Sequence, residues 1–119
     1  MQLPLSFDAI VKEPNAKELY SKLILQLNKD LLLANIDLQF NEEVLPTSLK
    51  LIFKDCIYDL LQNKFSEYLN LLYVIDVAES KIKVLDSTDL VGLSEAVTFL
   101  MLQREWQKVW YKQRYSSSL

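Results

Sequence analysis

The 119-residue chain has no histidine, one cysteine, one glycine and three prolines. Each scarcity closes a class of function. Without histidine, neither a His-based catalytic triad nor the usual His/Cys zinc site can be assembled. The single thiol, Cys56, rules out an internal disulfide and fits a reducing compartment. One glycine, Gly92, cannot build a glycine-rich phosphate loop. Apolar runs stop at four or five residues, as at 71–75 and 99–102, against about 20 for a membrane span. The start, Met1-Gln2-Leu3-Pro4-Leu5, has no basic stretch, and Asp8 and Lys12 interrupt the apolar residues after it, so it does not read as a signal peptide. These absences lead to the expectation of a cytoplasmic protein with no cofactor, no metal and no membrane partner.

What remains is rich in leucine: 24 of the residues, enough to supply one core without disulfides or metals. The length argues for a single helical domain over 1–119, with 1–14 as an extended N-terminal arm and 116–119 as a frayed tail. The net charge of −3 disfavours nucleic acid and anionic surfaces overall. It is unevenly spread. Residues 104–119 carry four basic groups against one acidic, and the other 103 carry nine against fifteen.

Periodicity predicts an all-α bundle of about five helices. The first opens at Asn15, with Glu18 completing a capping-box pattern. Leu19, Tyr20, Leu23, Ile24, Leu27 and Leu31 form its inner face, and it ends near Ala34 or Asn35. The second starts after Pro46 with Thr47 or Ser48 as cap, and carries Leu49, Ile52, Phe53, Cys56, Ile57 and Leu60 inward. It breaks between 63 and 66. A third helix runs over 67–75, and Asp76-Val77-Ala78-Glu79 reads as the capping box of a short fourth over 77–86. The last begins between Asp89 and Ser94 and runs to about Tyr115. Residues 36–41 alternate instead, with Ile36, Leu38 and Phe40 against Asp37, Gln39 and Asn41, as do Leu3, Leu5, Phe7 and Ala9. The two are possible short extended segments, near 3–9 and 36–41, able to pair as a ribbon or to drape over helices.

Apolar residues also fall off these stripes. Leu51, Tyr58 and Phe65 are seven apart on the outer side of the second helix, and Leu25 and Leu32 repeat that spacing on the first. On the last helix, Leu93, Val97, Leu100 and Met101 lie roughly opposite Phe99, Leu102, Trp106, Val109 and Trp110. Helices apolar on two sides are buried from two sides or face a partner. The C-terminal stretch adds Arg104, Lys108 and Lys112 in one row, with Arg114, and with Tyr111 and Tyr115 flanking it. Arg, Trp and Tyr recur in interface hot spots, and basic–aromatic mixtures also suit phosphate contacts with base stacking.

Other constellations have plainer readings. Asp55 and Asp59 make a solvated helix face, Cys56 lies on an apolar stripe as packing, and Tyr20, Tyr58, Tyr68 and Tyr73 sit at core and rim spacing. The expectation is therefore a non-catalytic interaction module. It self-associates as a homodimer, or binds another protein, through Leu51, Tyr58, Phe65 and the C-terminal residues Arg104, Trp106, Lys108, Trp110, Tyr111, Lys112, Arg114 and Tyr115. The alternative is a nucleic-acid-associated protein using the C-terminal helix.

Overall fold

A computed structural model describes residues 16–117 as five helices: α1 Ala16–Leu33, α2 Pro46–Asn63, α3 Phe65–Ile75, α4 Glu79–Lys83 and α5 Leu90–Ser117. No strand occurs among the described residues. The chain is all-α, as the periodicity predicts. The 3–9 segment, the 1–14 arm and the Asn15 cap lie outside the described residues. α5 runs to Ser117, and 118–119 of the expected tail also lie outside the described residues.

α5 organises the rest. At about 1.5 Å per residue, its 28 residues span about 42 Å, the 43 Å length of the molecule. α1, α2 and α3 all pack on it, and α2 and α3 also pack on one another. The expected two opposite faces of α5 are in fact one broad face. At about 100° per residue, the buried positions Val97, Met101, Val109, Leu102 and Trp106, together with the polar ones between them, cover about half the helix circumference. The midline of that face is polar: Ser94, Thr98 and Glu105 are buried too. This polar line splits the apolar pattern in sequence and makes one wide face look like two. Ser94 Oγ donates to the Val91 carbonyl and Thr98 Oγ1 to the Ser94 carbonyl, both at 2.7 Å, so the hydroxyls are satisfied within the helix.

With glycine so scarce, other residues supply the left-handed backbone that ends helices. Asn35 has φ 63° and Asp76 φ 70°. After α1, the Ile36 N–H reaches the Leu31 carbonyl and the Asn35 N–H that of Leu32, a Schellman closure with Leu31 and Ile36 packed together in the core. Asp76 therefore closes α3 rather than capping the next helix. α4 starts at Glu79, shorter than the 77–86 expected, behind an Ala78 with no side-chain cap, and has only the half-buried Ile82 against the core. At α2, Pro46 is itself the first helical residue behind Leu45, and neither Thr47 nor Ser48 caps it.

Residues 36–41 are extended but unpaired with any strand. Asn28, on α1, takes the place of a neighbouring strand: its Nδ2 donates to the Phe40 carbonyl at 2.9 Å and its Oδ1 accepts from the Phe40 N–H at 2.8 Å. Phe40 then meets Phe53 of α2 edge to face, centroids 6.4 Å apart. Ile36 and Phe40 are buried, so the alternation marks a segment draped over helices. Ile52, expected inside, is exposed at its margin.

Candidate functional site

The polar midline of α5 ends in a buried charge cluster. Glu105 is 0% exposed and Asp30, on α1, 3%. Lys108 Nζ lies 2.6 Å from Asp30 Oδ2 and 2.7 Å from Glu105 Oε1. Its bond to Asp30 is a well-directed hydrogen bond, whereas its approach to Glu105 is an ion contact, and both Glu105 oxygens lack a hydrogen-bond partner of good geometry. Gln26 Nε2 donates to the other Asp30 oxygen at 3.1 Å. A buried carboxylate is costly unless fully paired. Burial, and then the neighbouring Asp30 carboxyl, push Glu105 from its ordinary 4.5 up to about 9 against the pull of Lys108. At neutral pH Glu105 thus keeps its proton, close to Asp30 and Lys108. This arrangement joins α1 to α5 and is closed to solvent at Glu105. Beside it, the Trp106 indole N–H is buried with no acceptor among the described residues.

Above the cluster, α1 and α5 leave an open groove of about 370 Å³. Leu25 and Val109 make its apolar part, and the charged residues lining it are Lys22, Lys29 and Lys112. Gln26 connects the two levels, lining the groove while donating to Asp30.

The residues expected to form an interaction face are scattered. Trp106 is 0% exposed and belongs to the core, so it anchors α5 and is not open to a partner. Lys108 is taken up by the buried cluster. Arg104 is committed to the end of α3, its Nε donating to the Asp76 carbonyl at 3.0 Å and its Nη2 pairing with the Asp76 carboxylate at 3.1 Å. The expected basic row therefore retains only Lys112 at the groove. Beyond it the aromatics pack among themselves: Tyr111 meets Trp110 edge-on at 5.0 Å and stacks with Tyr115 at 6.4 Å, and the Arg114 guanidinium sits 5.4 Å over Trp110. Leu51, Tyr58 and Phe65 do not share a helix, because α2 ends at Asn63 and Phe65 opens α3. Leu51 is exposed and Tyr58 half-buried.

Phe65 instead begins a different line. Phe65, Leu69 and Tyr73 recur at intervals of four along α3, 54%, 49% and 86% exposed, while Tyr68, Leu71 and Ile75 turn inward. Residues four apart are neighbours on a helix surface, so these three form a continuous apolar ridge. The spacing is visible in the sequence, but the ridge lies on the flank between the polar residues Ser66, Glu67 and Asn70 and the inward Tyr68, Leu71 and Ile75, so the apolar pattern alone assigns it to the core side.

Cys56 is half-buried, and burial together with the Asp59 charge pushes its thiol up to about 11, so it stays protonated and unreactive at neutral pH. Asp59 accepts from Asn63 at 2.8 Å and Asp55 is exposed. Among the described residues, no three acidic or thiol side chains converge as metal ligands, and no helix is long and apolar enough to cross a membrane. Compared with protein-family models, with curated proteins and with solved structures, the chain matches none.

Proposed function

We propose that the protein is a non-catalytic interaction module that binds protein through the α3 ridge, with a second copy of itself as the occupant. The observation that carries this reading is the exposure of Phe65, Leu69 and Tyr73 as one line. An aromatic–aliphatic–aromatic ridge of this kind is the composition found at the centre of protein interfaces. Because the ridge repeats every four residues along α3, two copies can pack it against itself about a two-fold axis, the commonest symmetry of homo-oligomers. The nucleic-acid alternative is not favoured, since Arg104 and Lys108 are already engaged with Asp76 and Asp30.

Light scattering after size exclusion, across a wide concentration range, is the test. The expected result is a dimer that Leu69→Glu or Tyr73→Glu converts to a monomer with unchanged helicity by circular dichroism. A wild-type chain that stays monomeric at the highest concentration overturns the reading.

A further inference from the structure

The outer edge of α1 carries Lys22, Leu25, Lys29 and Leu32 at successive spacings of three, four and three, so cation and leucine alternate along one helix face. Leu25 and Leu32 are exposed. α5 brings Val109 and Lys112 to the same groove, and no carboxylate lines it among the described residues. In a chain of net charge −3, this is a local reversal of sign. Lys22 is partly spent on Glu18, 3.2 Å away, and on Gln113. Lys29 and Lys112 have no ion-pair partner among the described residues.

We propose that the α1–α5 groove docks an acidic amphipathic helix of a partner protein, whose apolar anchors cover Leu25 and Val109 while its carboxylates meet Lys29 and Lys112. Charge complementarity selects this occupant: apolar contact alone would accept many helices, and the lysine frame admits those with acidic flanks. A bilayer takes a protruding apolar face, whereas Val109 is recessed between two helices. Single-stranded nucleic acid calls for stacking rings, and none lines the groove among the described residues.

The test uses the full chain and a fluorescent synthetic helix with Leu three and four residues apart and Glu on either side, read by anisotropy. A second peptide carries Lys in place of Glu, and phosphatidylglycerol vesicles serve as the membrane probe. The expected result is salt-sensitive binding of the acidic peptide only, weakened about tenfold or more by Lys29→Glu with Lys112→Glu. Lys81→Glu with Lys83→Glu, on α4, leaves it unchanged. Should the first pair misfold by circular dichroism, Lys29→Gln with Lys112→Gln is expected to give a smaller loss in the same direction. The proposal is overturned by no binding at low salt, by equal binding of the Lys peptide, by equal loss in the α4 variant, or by tighter binding to the vesicles.

Discussion

A single buried acid gives this chain a measurable pH dependence. Glu105 holds its proton up to about pH 9 in the folded chain, against 4.5 for its ordinary value. Between those values the native state binds one proton more than the unfolded state. The contribution is therefore complete below about pH 4.5 and is lost as pH rises, at up to about 1.4 kcal/mol per pH unit. The charged groups around it are Asp30 from α1 and Lys108 from α5. Glu105→Gln removes the titration and keeps the shape. Urea midpoints of wild type and variant, compared from about pH 5 to 9, are expected to diverge steadily, with the variant gaining as pH rises. Parallel curves would mean that Glu105 does not carry the proton. The glutamate itself is plain in the sequence, but its burial was not legible there, because it sits among Arg104, Gln103, Gln107 and Lys108 and looks like part of a solvated turn.

Among the elements, the 36–41 segment shows how one side chain replaces a strand. Asn28 offers a donor and an acceptor in the same geometry as a peptide group and so satisfies both backbone groups of Phe40. Asn28→Ala leaves them unpaired beside a buried ring. The expected loss is about 1–3 kcal/mol, with faster hydrogen exchange at the Phe40 amide, read by NMR. Alternation of apolar and polar residues shows that one side of an extended segment is buried, but not what it lies against. The capping motif at Asp76 failed for a related reason. Asp76 has the side chain of an N-cap, yet tertiary packing turns the chain there and uses it to close α3, held by Arg104.

At the scale of the whole molecule, one broad face of α5 absorbs α1, α2 and α3, and the ridge on α3 is left outside. If two copies pair there, unfolding is coupled to dissociation, and the melting temperature rises with protein concentration. Wild type is expected to show this rise in scanning calorimetry and Tyr73→Glu to lose it. A melting temperature independent of concentration in both would place the ridge outside any self-association. Trp106, which the hot-spot composition marked for a partner, anchors the core instead, because its position on α5 falls at the inner edge of that face.

The sequence by itself determined the helical class and, among the described residues, the number of helices and, within a few residues, their extents. These come from local periodicity and from Pro46 and the loops, which act over a few residues and need no partner. Tertiary structure alone decided which apolar side of each helix is buried, how Lys108 meets Asp30 across 78 residues of chain while also touching Glu105, and which lysines frame a groove. Burial and charge pairing depend on how separate helices are stacked, and a helical pattern repeated on several sides is compatible with more than one stacking.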